Sequence, residues 1–130
     1  MPMNETECLH YTRCNTPEKG AARIADHAAV AVVKLGAHGS LACRGSHLIH
    51  AAAFPVTAVD TTGAGDSFNA GFVAGWLEGR NLSECLMVAN ACGAMSVTAI
   101  GGNTAFPLPR QLNAFLEQNR CNLRWKDASE

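Results

Sequence analysis

The chain has 130 residues, 48% of them hydrophobic and 16% charged, and carries a formal net charge of −1. That length and composition describe one folded domain with a core and exclude a disordered chain. The lack of a basic excess argues against nucleic acid as a partner, no apolar stretch is long enough to span a membrane, and no leader-like start is present, so the sequence reads as cytoplasmic.

Thr16-Pro17-Glu18 supplies an N-cap, a proline for the first helical position and an acid for the first turn. With Ala21, Ala22, Ile24 and Ala25 on one face, it predicts a helix from Pro17 to about His27. AVAVVKL at 29–35 is a valine-rich run ended by glycine, as expected of a parallel strand covered on both faces. Gly36 and Gly39 bracket a turn, and SLAC and HLIHA around Arg44-Gly45-Ser46 predict a β-hairpin. His47 and His50 fall in that hairpin without carboxylate or thiol partners at metal-ligand spacing, and the six cysteines include no CxxC pair, so free buried thiols rather than a metal centre are expected.

Residues 56–59, after Pro55, predict one more short strand. From Ala64 the residues Phe68, Phe72, Val73, Trp76 and Leu77 recur at helical spacing as far as Glu78-Gly79-Arg80. Asn81-Leu82-Ser83-Glu84 has the spacing of a capping box and opens a helix of small residues towards Ile100, stopped by Gly101-Gly102. Leu112, Phe115 and Leu116, after Pro107 and Pro109, mark a last helix, and CNLRWKDASE reads as a partly frayed tail. The domain is therefore expected over 1–120, with a tail at 121–130.

The chemistry concentrates in DTTGAGDSFNAGF at 60–72. A loop feeding a helix N-terminus offers unpaired N–H groups and the positive end of the helix dipole, and glycine lets that backbone approach a phosphate closely. Gly63, Ala64 and Gly65 form such an anion cradle, but no GK[ST] follows, so this is not the common P-loop. Asp66, in the first turn, can accept the proton of a hydroxyl attacking a phosphorus held in the cradle. A plain capping aspartate on a glycine turn is the alternative.

The full string resembles the signature of the PfkB family of carbohydrate kinases, the ribokinase-like group. The resemblance implies an α/β fold of the ribokinase-like three-layer αβα kind, with the anion hole on Gly63, Ala64 and Gly65 and the catalytic base on Asp66. Asn4-Glu5-Thr6-Glu7 is similar to the family's NxxE motif, which implies that Asn4 and Glu7 serve the magnesium and phosphate environment. VVKLGAHGS at 32–40 resembles the strand and turn bordering the nucleotide, implying Lys34, Gly36 and Gly39 beside ATP, although glycines that simply turn a hairpin fit the same residues. Asn90 resembles the adenine-flanking position. Backbone carbonyls at 97–102, including Val97 and Gly102, with Asp60 and Thr62, resemble the monovalent cation site that holds K⁺ in many members.

The matched segment, from Asn4 to about Phe115, resembles only the C-terminal, ATP-binding half of the family, with its parallel strand, β-hairpin and helices. The sugar-binding half is not recognised in the chain, and the fold is expected to be incomplete. The resemblance implies an ATP- and Mg²⁺-dependent kinase acting on a sugar or nucleoside alcohol, truncated and inactive alone. Because the 29–35 strand needs neighbours on both sides, the chain is expected either to associate with itself or a partner chain, through that sheet edge or its apolar helices, or to cover the edge with its own elements. The alternative is a non-catalytic nucleotide-binding or interaction module that needs a partner chain.

Overall fold

The structure is a computed structural model that describes residues 2–61, 63–98 and 106–126. Two compact units are present, Met1–Ala53 and Phe54–Glu130.

The first unit runs β1 (Met3–Asn4), α1 (Glu5–Thr12), α2 (Pro17–Ala25), β2 (Ala31–Lys34), a 3-10 turn at Gly36–His38, β3 (Ser40–Arg44) and β4 (His47–Ala51). Its sheet has the order β1-β2-β3-β4, with β2 parallel to β1 and antiparallel to β3. β2 is buried as its composition requires, but its neighbours correct the expectation of a purely parallel setting. All four of its residues register against β3, from Ala31↔Cys43 to Lys34↔Ser40, whereas β1 pairs only with Val33 and Lys34. The hairpin forms as predicted, with Arg44 opposite His47 and Gly45 at φ 60° in the first loop position.

Thr16 caps α2 by accepting the Lys19 N–H at 3.2 Å. The helix stops at Ala25, short of His27, because Asp26 and His27 bond back to the Arg23 and Ile24 carbonyls in a tighter turn. Helix α1 has no counterpart in the expectations, which read 4–7 only as a motif. It packs on α2 where Gly20 has no side chain: a Cβ there would meet Cys8 Sγ at 2.5 Å and Thr12 Oγ1 at 3.0 Å. Cys8, Ala21, Ala31, Val33, Leu41 and Cys43 form the core of this unit.

The second unit consists of α3 (Ala64–Leu77), α4 (Leu82–Val97) and α5 (Pro109–Gln118). The strand expected at 56–59 is absent. Val59 and Asp60 instead donate their N–H groups to the Val97 carbonyl at 2.7 and 3.0 Å, which satisfies the backbone without a sheet. Gly79, at φ 78°, ends α3: its N–H reaches the Trp76 carbonyl and the Arg80 N–H the Gly75 carbonyl, the Schellman arrangement. Asn81 caps α4 through the Glu84 N–H at 2.9 Å. The Glu84 carboxylate turns to Arg80 at 3.4 Å, so the expected box is realised on its Asn81 side. α4 ends at Val97 rather than running on to Ile100, which, with the Gly101-Gly102 stop, lies outside the described residues.

α3 and α4 pack as an antiparallel hairpin whose closeness rests on glycine. A Cβ on Gly71 would lie 2.9 Å from Ala89 Cα and 3.0 Å from the Val88 carbonyl, and one on Gly75 would lie 3.2 Å from Cys85 Cα. The end of the chain is not frayed over 121–126. Trp125 is 7% exposed, its ring lies 5.2 Å from that of Phe106 and 4.9 Å from the Arg80 guanidinium, and its backbone exchanges two hydrogen bonds with the Asn113 amide. It joins Val88, Ala91, Cys92, Leu112 and Leu116 in the core of the second unit.

All six cysteines are free; Cys8, Cys43, Cys85 and Cys92 are buried, whereas Cys14 and Cys121 are half-buried, which corrects the expectation of buried thiols throughout. Burial pushes the Cys92 thiol from the ordinary 9.0 up to about 12 and raises those of Cys8 and Cys43. The unfolded Cys92 thiol ionises near 9.0 while the folded one keeps its proton to about 12. Its contribution is complete below pH 9 and is lost as pH rises towards 12, so urea midpoints should fall over that window, and Cys92→Ala should flatten the fall. Gly71→Ala should lower the unfolding free energy at neutral pH by roughly 1–3 kcal/mol, because the Ala89 backbone cannot give way. Helix propensity alone would raise it by about 1 kcal/mol.

Candidate active site

The 60–72 segment becomes a left-handed turn followed by a helix. Gly63 is the N-cap of α3 at φ 78° and ψ 1°, a conformation that penalises a Cβ, and it brings no side chain to cap the helix. Asn4, Thr16 and Asn81 each place a side-chain oxygen on a first-turn N–H of their helices. At α3 the turn is held by the backbone: Ala64 N–H donates to the Thr61 carbonyl at 3.2 Å and Ser67 N–H to the Gly63 carbonyl at 2.9 Å. The N–H groups of Gly65 and Asp66 therefore face outward from a helix start with no N-cap side chain on them, and Asp66 is exposed. Such a start binds an anion through its N–H groups and dipole.

Helix α4 supports this end of α3. A Cβ on Gly93 would lie 3.6 Å from the Ala64 carbonyl and 3.7 Å from Phe68 Cβ, ordinary van der Waals contact, so α4 packs against this end of α3 without requiring a glycine there. Gly93 is not among the sequence-derived site residues, and its only signal there is the small-residue run ANACGA. The two hydrogen bonds from Val59 and Asp60 to Val97 then fasten the segment before the cradle to the C-terminal end of α4. Asp60, Gly63, Ala64, Gly65, Asp66 and Val97 are thus gathered at one end of the helical hairpin. Asn90, 9% exposed, sits two turns back along α4. Thr62 and Gly102 lie outside the described residues.

In the first unit, Asn4 and Lys34 are register partners at one end of the sheet. Gly36 and Gly39, at φ 60° and 92°, turn the chain directly after Lys34, and Leu35 N–H closes on the Gly39 carbonyl at 2.8 Å. A Cβ on Gly39 would come within 2.7 Å of Ala53 N, so this glycine is demanded by close backbone as well as by its φ. The spacing NxxE has a physical cause of its own. Asn4 Oδ1 accepts the Glu7 N–H at 2.8 Å and Glu7 Oε1 accepts the Asn4 N–H at 3.0 Å, a complete capping box that fixes the Glu7 carboxylate beside β1.

The family model for pfkB family carbohydrate kinases matches residues 1–109. The chain belongs to the pfkB family of carbohydrate kinases. Aminoimidazole riboside kinase of Salmonella typhimurium is 44% identical over 93 residues, 68% of this chain and 29% of that protein. The solved ribokinase of Thermotoga maritima superposes with a TM-score of 0.79 at 34% identity, over 89% of this chain and 41% of that one. A putative ribokinase II from E. coli, solved in complex with ATP and Mg²⁺, gives a TM-score of 0.79 at 30% identity, over 89% of this chain and 38% of that one. The pfkB chain described here spans about 30% of the length of the curated relatives it matches, and its α/β fold is part of the ribokinase fold.

Among the described residues no group of three or more His, Cys, Asp or Glu side chains could hold a metal ion. A pfkB site of this kind suits Mg²⁺ held chiefly by phosphate oxygens and water, with few protein ligands. The Val97 carbonyl already accepts two backbone N–H groups, so a monovalent cation at that oxygen would have to displace one of them. No described helix is long and apolar enough to cross a membrane. A cavity of about 640 Å³, lined by residues including Ala74, Arg80, Phe106 and Trp125, lies towards the other end of α3, away from Asp66.

Because the Asn4–Glu7 box is structural, its two members should separate in a stability measurement. Asn4→Ala removes the acceptor for the Glu7 N–H and should cost about 1 kcal/mol in chemical unfolding. Glu7→Gln keeps an oxygen for the Asn4 N–H and should stay within about 0.5 kcal/mol of the parent, which would free that variant to report on charge alone.

Proposed function

We propose that the chain is the ATP-side portion of a kinase that transfers the γ-phosphoryl group of ATP to an alcohol of a sugar or nucleoside. One observation carries the reading: α3 starts on a glycine with no side-chain cap, so the Gly65 and Asp66 N–H groups are open where the Asp66 carboxylate is exposed in the same turn. Membership of the pfkB family, and relatives that include a riboside kinase and a protein solved with ATP and Mg²⁺, support the donor and the acceptor class.

In this reading Asp66 accepts the proton of the attacking hydroxyl, and the backbone of Gly63, Ala64 and Gly65 stabilises charge that builds on the transferring group. Mg²⁺, when bound, neutralises the phosphates. Glu7, held by Asn4, orders water around that ion, which agrees with a carboxylate fixed by a capping box. Lys34, Gly36 and Gly39 border the nucleotide, and Asn90 lies on the adenine side. No step is assigned to K⁺, since the Val97 carbonyl is engaged by Val59 and Asp60. The reading places the protein in the cytoplasm, and the alcohol-binding residues on polypeptide beyond the segment that matches these relatives. The second reading is a nucleotide-binding module that needs a partner chain and does no chemistry; the α3 start would serve it equally, since binding asks only for the first-turn N–H groups and the helix dipole.

A chimera separates the two: this chain replaces the matching part of the Thermotoga maritima ribokinase, and phosphorylation of ribose and of a panel of sugars and nucleosides is followed by ADP release. Asp66→Asn should lower kcat by roughly 10²–10⁴-fold while ATP affinity changes little. Turnover unchanged by asparagine would remove Asp66 as base and leave it as an exposed acid in the first turn of α3.

A further inference from the structure

At the end of α3 opposite Asp66, about 18 Å along the helix from that residue at 1.5 Å per residue, the second unit holds a cavity of about 640 Å³. Its size suits a small molecule, and its lining has two characters. Ala74, Phe106, Pro109 and Trp125 are apolar, and the Phe106 and Trp125 rings, 5.2 Å apart and tilted by 49°, form a wedge. Glu78, Arg80 and Lys126 supply the charge.

The charged groups are not equally engaged. Arg80 gives Nη1 to Glu84 at 3.4 Å, and Nη2 to Glu78 at 3.2 Å and to the Arg124 carbonyl at 2.7 Å. Its guanidinium lies 4.9 Å from the centre of the Trp125 ring, which fixes the aromatic wall. Arg80 Nε is buried with no hydrogen-bond partner, so this wall keeps one donor unused. Lys126 is exposed and joins no ion pair among the described residues. The proposed phosphoryl transfer uses none of these groups.

We propose that the cavity is a binding site for a small aromatic carboxylate, whose ring lies in the Phe106–Trp125 wedge and whose carboxylate meets Lys126. A flat apolar body suits two rings set at an angle, because it can lie on the face of one while its edge meets the other. A negative charge suits a lining with two cations and one carboxylate, since that carboxylate is already taken by Arg80. The small side chain of Ala74 leaves room for the ligand ring. The inference does not rest on the role of Asp66, and it stands whether or not the chain transfers a phosphoryl group.

The test follows the amide and indole resonances of the labelled full chain with three probes: naphthoate, its neutral analogue naphthamide, and cyclohexanecarboxylate, which carries the charge without the flat ring. Naphthoate should give saturable shifts at Ala74, Phe106 and the Trp125 indole, and each of the other two should bind at least about three-fold more weakly. Lys126→Gln changes an exposed position that the fold does not need; it should weaken naphthoate about three-fold and leave naphthamide unchanged. Ala74→Leu, which fills the cavity, should abolish the shifts. Shifts that do not saturate, or none at millimolar naphthoate in the folded chain, would overturn the proposal. So would equal binding of naphthoate and naphthamide, or undiminished naphthoate binding by Lys126→Gln, since the cavity would then recognise no charge.

Discussion

Gly63 turns the backbone at φ 78° and starts α3 without a side chain on its first N–H groups, and most of the second unit is arranged to hold that start in place. An uncapped helix end is unfavourable unless something satisfies it; the helices begun by Asn4, Thr16 and Asn81 avoid the cost, while α5, begun by Leu108, shares with α3 the lack of an N-cap side-chain bond. At α3 the support comes from the packing instead. Glycines 71 and 75 let α4 run close against α3, and the Val97 carbonyl ties down the segment that precedes the turn. The open donors are therefore presented by a rigid helical hairpin, which is what positioning and electrostatic stabilisation of a phosphoryl group require.

Much of this arrangement is legible from residue types. The glycine turn that starts α3, the α3 periodicity, the Thr16 and Asn81 caps and the Arg44-Gly45-Ser46 hairpin are local features, each determined by a few neighbouring residues, and each appears where the sequence puts it. The features that the sequence hides depend on distant partners. Residues 56–59 have strand-like composition, yet Val59 and Asp60 find their acceptor on α4. CNLRWK looks polar and terminal, but Trp125 is fixed by Asn113, Phe106 and Arg80. Helix α1 escapes a reading by periodicity because its apolar content is slight; the reciprocal hydrogen bonds of Asn4 and Glu7, rather than an amphipathic pattern, define its start.

The capping box at α1 also bears on the site. In NETE, the side chains of Asn4 and Glu7 close the box, so the three-residue spacing has a structural reason independent of any ligand. The carboxylate of Glu7 is held in one orientation at the end of the sheet, next to the register pair Asn4 and Lys34. Gly39 likewise combines a positive φ with backbone contact at Ala53, so it would be required by the fold even without a nucleotide nearby. For such residues the fold alone makes the demand visible, and a substitution disturbs the fold whatever else it changes. The Asp66 carboxylate differs, because its exposure gives the fold little use for it.

The central claim is that the α3 start binds the phosphates of a nucleotide through its own backbone. It is tested most directly by following the backbone amide resonances of the labelled chain while Mg²⁺ and ADP are added. The account predicts that the largest shifts fall on Gly65 and Asp66 and saturate with nucleotide concentration, and that they persist in Asp66→Asn. Saturable shifts confined to residues far from the α3 start, or none at millimolar nucleotide in a chain shown to be folded, would contradict it.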